Sequence, residues 1–304
     1  VTDAVLLAEG FAAAAVRVAT PLLLAATGET IAQRSGVMNL GLEGVMLTGA
    51  LAAAVGAASW GPWGGVVVAV LAGILLSGVF ALVAIGARAD QVIAGTAITL
   101  GAIGLTGTIY RQAFGAAGAG LDLPTLAPVP IPGLSAIPIL GPAFFVQPAP
   151  THLALLAVPV VWWFLFRTRA GLTLRAAGES ATVARASGVR TRLVRAVATV
   201  VGGGFAGLAG ATLVLAQVGT FAERMTAGRG YVAIAIVVLG RWHPVGVALA
   251  SLGFGAAMAL QFLFQTLGLG VPYQLFLMLP YALALLALAG VVGRVKAPAD
   301  LGKA

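Results

Sequence analysis

Between Arg167 and Arg195 the chain sets seven arginines, at 167, 169, 175, 185, 190, 192 and 195, against one acid, Glu179. This is the only sizeable polar stretch in a sequence that is otherwise nearly all hydrocarbon. Long apolar runs cross a bilayer as helices because their backbone groups must find partners within the segment. A loop this rich in arginine between such runs stays on the cytoplasmic side, because it is hard to translocate. Only 9% of the 304 residues are charged, against roughly 25% in a soluble domain. The chain is therefore expected to be an all-α polytopic membrane protein, forming one transmembrane domain over residues 1–304. The 17 bases exceed the 9 acids, but most of them sit at expected span ends. The excess is topological and implies no nucleic-acid partner.

About nine spans are expected: 11–32, 37–58, 65–86, 91–110, 151–166, 194–216, 231–240, 245–264 and 273–292. The seventh is too short to cross alone and is expected to begin in the irregular stretch 217–230. Residues 111–150 contain eight prolines from Pro124 to Pro150, too many for a spanning helix, and read as an external, partly re-entrant loop. With loop 167–195 inside, the N-terminus lies outside and the C-terminus inside, which puts 13 of the 17 bases in the cytoplasm. The opposite orientation would put those 13 outside. No cleavable leader is expected, since Glu9 and Arg17 interrupt the first apolar run. Within the cytoplasmic loop, 174–187 has apolar residues at helical spacing and reads as a short amphipathic helix broken by Gly178 and Gly188. It would either touch anionic headgroups or dock a cytoplasmic partner.

The candidate chemistry lies where helices break. Asn39 and Glu43 fall in a run with glycine at 36, 41 and 44, and a carboxylate at membrane depth is costly unless paired or wet. Glu43 could line a solute path, or it could clamp helices by bridging to Arg34 or Arg229. Gln91, Thr96 and Thr99 recur at near-helical spacing, and Gln217, Gln261 and Gln265 are further polar insertions. Such groups either join helices or line a route for a polar solute, with aromatic faces from Phe221, Tyr231 and Tyr281. A Gly-rich lead-in, an apolar helix and a Trp/Pro/Gly turn occur at 36–64 and again at 228–246. The two turns would face opposite sides, so the halves could form an inverted repeat with the solute route at their interface; such turns are also common at membrane interfaces. With zero cysteines, only His152 and His243, and no Gly-x-x-x-x-Gly-Lys-Ser/Thr, neither a metal centre nor a nucleotide-hydrolysing loop is expected, so the chain reads as neither an enzyme nor a cofactor protein.

Several stretches occur in order along nearly the whole chain: Thr-Pro-Leu-Leu-Leu-Ala-Ala-Thr-Gly-Glu at 20–29, Gln-Arg-Ser-Gly-Val-Met-Asn-Leu-Gly-Leu-Glu-Gly at 33–44, Arg-Ala-Asp-Gln at 88–91, Arg-Ala-Ala-Gly-Glu at 175–179, Ala-Gly-Arg-Gly-Tyr at 227–231 and Leu-Pro-Tyr at 279–281. Together they resemble the permease subunits of bacterial ABC importers for nucleosides and simple sugars, in the broad family that includes ribose and branched-chain amino acid permeases. The resemblance implies a multi-pass protein of the bacterial cytoplasmic (inner) membrane, similar to the shorter of two permease partners. It implies a second permease subunit, a cytoplasmic ABC ATPase that binds ATP and magnesium, and an extracytoplasmic solute-binding lipoprotein. It also implies that the segment holding Arg175, Gly178, Glu179, Arg185 and Gly188 is the coupling helix, although Ser180 stands where asparagine is more usual. A self-sufficient secondary transporter is the rival reading; the Arg-rich loop and the lack of a proton-relay set of Asp, Glu and His weigh against it.

Overall fold

A computed structural model describes residues 2–115, 122–266 and 296–303, with Met278 and Ala282. The expected ninth span and Tyr281 lie outside the described residues. Nine α-helices make up most of what is described: α1 (Thr2–Arg34), α2 (Leu42–Ala81), α3 (Gln91–Phe114), α4 (Ala149–Arg167), α5 (Arg169–Glu179), α6 (Ala181–Ala186), α7 (Thr191–Thr212), α8 (Arg229–Leu239) and α9 (Pro244–Thr266). Wider π turns extend α2 to Gly86 and α7 to Val218. A ribbon of β1 (Pro128–Pro130) and β2 (Val146–Pro148) closes part of the proline-rich loop. Six of the described helical stretches are long and apolar enough to cross a membrane.

One of the six is two limbs. A straight helix of the 45 residues from Leu42 to Gly86 would be about 67 Å long, more than twice a bilayer core. Instead the backbone leaves helical geometry at Trp60 and Gly61, the latter at φ 74°. Pro62 then opens the second limb, where its fixed φ suits a first helical turn. The limbs fold back on each other: a Cβ on Gly56 would lie 2.9 Å from the Gly65 Cα, and one on Gly65 would lie 2.6 Å from the Ala53 carbonyl oxygen. The expected turn at 59–64 is therefore present, and the two limbs match the second and third expected spans.

The centre is the α2–α7 seam. Gly207 lies between the limbs of α2, where a Cβ would run into the Ala69 carbonyl oxygen on one limb, and the Gly49 Cα direction points back at its backbone from the other. Only residues without side chains allow helices this close. Helix α1 packs on α7 and α9, and α3 lies along α2. The inner faces are apolar, with Leu22, Leu24, Leu42, Met46, Ala209 and Ile236 fully buried. Leu75, Leu82, Ile93 and Leu249 face outward instead, as a lipid-facing surface requires. Described here is thus a multi-pass, all-α membrane protein.

Two expectations on local structure change, and a third is narrowed. Helix α1 starts at Thr2 and not near residue 11, since Glu9 and Arg17 can face out from a helix as readily as they interrupt an apolar run. Residues 174–187 form two helices, not one broken at Gly178: Gly178 lies inside α5, and the break is at Ser180, whose extended backbone and hydroxyl cap α6 by accepting from the Val183 N–H. Helix α8 does begin within the stretch 217–230, but only at its end. Residues 219–228 are non-helical, and α8 starts at Arg229 behind Gly228 at φ 82°.

Candidate functional site

Two interrupted segments meet inside the protein. After α1 ends at Arg34 the chain does not leave the bundle but turns back alongside it. Ser35, Val37 and Asn39 are buried, and helix resumes only at Leu42. The backbone of this lead-in finds side-chain partners on both neighbours. The Asn39 N–H donates to Glu29 Oε1 at 3.0 Å, the Met38 N–H donates to Gln91 Oε1 at 2.8 Å, and the Thr99 hydroxyl reaches the Leu40 carbonyl at 3.4 Å. Asn39 itself accepts the Gly41 N–H at 3.0 Å. Glu29 is one and a half turns back from Arg34, so the lead-in climbs about 7 Å along α1 before α2 begins.

The second segment descends from the opposite end. Its start is tied there by the Leu123 N–H to Gly219 and the Leu126 N–H to Leu215, and it becomes α8 at Arg229. Glu43 joins the two. Its carboxylate accepts from the Thr226 hydroxyl at 2.6 Å, the Gly228 N–H at 2.8 Å and the Gly230 N–H at 2.7 Å. Those amides belong to the first turn of α8, so an anionic side chain from the first turn of one broken helix caps the other and complements its dipole. Gly230 is required for this approach: a Cβ there would lie 2.5 Å from the Glu43 backbone.

Beside the junction is a cavity of about 260 Å³ lined by Glu43, Thr96, Thr99, Arg224, Thr226 and Tyr231, with apolar walls from Leu47, Leu100 and Ile103. Carboxylate, hydroxyl and guanidinium groups beside a half-exposed phenol ring suit a polyhydroxylated or heteroaromatic solute. The structure brings Glu43, Thr96 and Tyr231 to this place and Arg229 to its edge, where Arg229 Nη1 donates to the Met225 carbonyl at 2.9 Å. It takes the other candidates elsewhere. Asn39 and Gln91 hold the first lead-in, Phe221 is buried against Tyr110 with ring centroids 5.0 Å apart, and Gln261 lies on α9, which packs on α1, α4 and α8. Arg34, one expected partner of Glu43, instead donates to the Trp242 carbonyl at 2.8 Å and stacks over Phe166.

A second buried network went unnoticed in the sequence. The Trp242 indole N–H donates to Gln33 Oε1 at 2.7 Å, and Gln33 donates to Glu29 at 2.9 Å. The turn after α8, where Arg241 and Trp242 both take positive φ, is thereby fastened to α1 and to the lead-in. The i, i+4 pair of Glu29 and Gln33 in an apolar helix was the signal available.

At the same end, α5 and α6 lie against the bundle. Gly178 is pressed on the Arg34 carbonyl, Arg175 stands 4.9 Å over the Phe166 ring, and His243 packs 5.2 Å from that ring. Burial first, then the Arg34 charge, holds the His243 imidazole below its ordinary pKa. Outward from this base, Thr182, Val183, Arg185 and Ala186 of α6 are exposed, with Glu179 before them and Gly188, at φ 83°, ending the turn. The C-terminal segment secures the assembly. Asp300 accepts from the Ala181 N–H at 2.7 Å, its own N–H donates to the Gly178 carbonyl at 2.9 Å, and the Gly302 N–H donates to the Gly36 carbonyl at 3.0 Å. The Ala181 N–H, then Lys303 and Arg195, keep the Asp300 carboxyl below the usual carboxylate range.

The chain is similar in sequence to several known transport permeases. The chain is 37% identical over 292 residues to the guanosine ABC transporter permease protein NupQ of Bacillus subtilis, covering 92% of this chain and 91% of the relative. It is 42% identical over 272 residues to the putative glucose ABC transporter permease protein TsgC13 of Haloferax volcanii, covering 87% and 80%. It is 32% identical over 289 residues to the nucleoside ABC transporter permease protein NupC of Lactococcus lactis, covering 92% and 91%. No solved structure matches it. The model of the branched-chain amino acid transport system / permease component family matches residues 11–288, and the chain belongs to that family of membrane permeases.

Proposed function

We propose that the chain is the membrane-spanning subunit of an ATP-driven importer for nucleosides or related simple sugars, and that solute passes the Glu43 cavity. The observation that carries this reading is the meeting of two interrupted segments, one from each end of the bundle, at a carboxylate beside a mainly apolar cavity that holds a few convergent polar groups. Broken helices with facing N-termini are how membrane carriers offer polar backbone at depth without exposing it to lipid. Membership of the family and the nucleoside and sugar relatives supply the solute class.

The end holding Arg34, α5, α6 and the C-terminal segment is assigned to the cytoplasm, in accordance with the arginine count. Nine crossings then follow, counting the limbs of α2 separately, the 219–239 segment as one and, from its sequence alone, 273–292 as the last. The two lead-ins at 35–41 and 219–228 support an inverted repeat. In this reading α6 docks on a cytoplasmic ATPase through Val183 and Arg185, with Arg175 and Gly178 seating the helix from below. A second permease subunit completes the path, and an extracytoplasmic binding protein delivers the solute to a single membrane domain in the cytoplasmic membrane. ATP and magnesium belong to the ATPase subunit.

Uptake of labelled guanosine and glucose into cells carrying the complete transporter tests the assignment. Accumulation that needs the ATPase, falls on Tyr231→Ala and is blocked by excess of one solute class is expected. Accumulation that persists without the ATPase and collapses with a protonophore would identify a secondary transporter instead.

A further inference from the structure

Away from the solute cavity, at the end occupied by Arg34, a separate polar hollow of about 270 Å³ opens between the second limb of α2, the start of α3, α6 and the start of α7. Five bases converge on it: Arg88, Arg185, Arg192, Arg195 and Lys303. The nearby acid is Asp300, already engaged with the Ala181 N–H and with Lys303 and Arg195. Arg88, Arg185 and Arg192 have no carboxylate within 4 Å among the described residues. Arg88, Arg185 and Arg192 reach solvent, which screens their mutual repulsion, and an anion in the hollow would relieve it further.

Two buried neutral groups point the same way. Gln91 is 4% exposed and spends its Oε1 on the Met38 N–H, which leaves its amide nitrogen as a donor at the hollow. Thr191, 3% exposed, lines it too, and its hydroxyl has no partner among the described residues. Thr191 is also the first residue of α7, whose N-terminus carries no side-chain cap. The uncapped amides and the positive end of a 28-residue helix therefore add to the five side-chain charges. Arg88 is held at φ 59°, which an unbranched polar residue adopts at a cost. Topology alone would scatter arginines around the loops; it would not assemble donors, a helix N-terminus and a hollow at one place.

We infer that this hollow binds the phosphate group of an anion, through Arg88, Arg192, Gln91, Thr191 and the first turn of α7. Its surroundings favour a phospholipid as the source. Leu82 and Ile93, each 71% exposed, and Leu193, 56% exposed, lie within a turn of the lining residues, so acyl chains would find an apolar wall beside the headgroup site. Because the hollow joins α6 and the C-terminal segment to α3 and α7, the bound anion would tie the docking helix to the bundle.

The test uses the purified transporter complex, washed in one detergent. Retained lipid is measured after equilibration with phosphatidylglycerol or phosphatidylcholine, and Tm is measured in inorganic phosphate against chloride at matched ionic strength. The parent is expected to retain phosphatidylglycerol in preference to phosphatidylcholine. Arg88→Gln/Arg192→Gln should lose that preference, by about tenfold or more for each charge-assisted contact removed. Arg167→Gln/Arg169→Gln, on the same face but off the hollow, should retain it. A Tm rise in phosphate without lipid preference, lost in Arg88→Gln/Arg192→Gln, would assign the site to a free phosphate compound. If the double variant does not purify, Thr191→Val, which leaves every charge in place, should weaken retention. Parental lipid retention and phosphate response in whichever of these variants is obtained would overturn the inference.

Discussion

Replacing Glu43 by glutamine tests the junction most directly, because it keeps shape and removes one acceptor. Oε1 serves both the Thr226 hydroxyl and the Gly228 N–H, and Oε2 serves the Gly230 N–H. A glutamine can place its carbonyl on the first pair, but its amide then faces the Gly230 N–H, donor against donor. One unpaired buried N–H costs about 1–3 kcal/mol, and losing the charge at the α8 N-terminus costs about 1 kcal/mol more in a partly buried setting. The predicted loss is about 2–4 kcal/mol, localised to the start of α8, which makes its opening at least about thirtyfold more frequent. Hydrogen exchange at 226–232 should rise accordingly, and ATP-dependent uptake should fall at least tenfold while the complex still assembles. Thr226→Val, which removes one of the same bonds, should cost less, and the double variant less than the sum. Parental exchange and uptake in Glu43→Gln would show that the carboxylate does not hold α8, and the reasoning would fail.

Gly207→Val should prevent folding or lower Tm by many degrees, as seen in the melting of purified protein, because its side chain would have only the Ala69 and Gly73 backbone of the second α2 limb to displace. Val183→Asp/Arg185→Glu on exposed α6 should leave insertion and Tm nearly unchanged while abolishing coupling of ATP hydrolysis to uptake; normal uptake would remove the docking role. Cysteines placed at Ser59 and Ser187 in this cysteine-free chain should label from opposite sides of the membrane, and labelling of both from outside would reverse the assigned topology. Asp300→Ala should loosen α6 by about 1–2 kcal/mol, read as faster proteolysis at 180–188. Since the Asp300 carboxyl is held below its ordinary value, its contribution is full above the unfolded-state pKa and disappears as pH falls through the lower folded one. The parent should therefore approach the variant only in strong acid.

Most of the spans among the described residues, the Trp60–Gly61 turn and the broken start of α2 were legible because apolar run length, Gly/Pro turns and glycine spacing are local signals. Glu43 stood out because a carboxylate in hydrocarbon demands a reason. What it touches did not, since Thr226, Gly228 and Gly230 lie more than 180 positions away and meet it through tertiary structure. Phe221 and Tyr231 read alike as aromatic faces, yet one became core against Tyr110 and the other a cavity wall, a choice made by neighbouring helices. Gly178 looked like a helix breaker and is a contact point: the absent side chain serves the Arg34 carbonyl, and the serine two residues later ends the helix by capping the next. The role of Asp300 was hidden for the same reason as that of Glu29 and Gln33, because each acts through a partner that only the fold brings to it: the Ala181 N–H, the Asn39 N–H and the Trp242 indole.

The glycine seam between α2 and α7 has a mechanical consequence. Where side chains interdigitate, two helices can shear by exchanging rotamers. Backbone resting on backbone has no rotamers to exchange, so Gly49, Gly73, Gly203 and Gly207 weld the limbs of α2 to α7 as one stator. Any displacement that opens the Glu43 cavity first to one side and then to the other must be borne by the parts held to that stator through hydrogen bonds: the two lead-ins, α8 and α3.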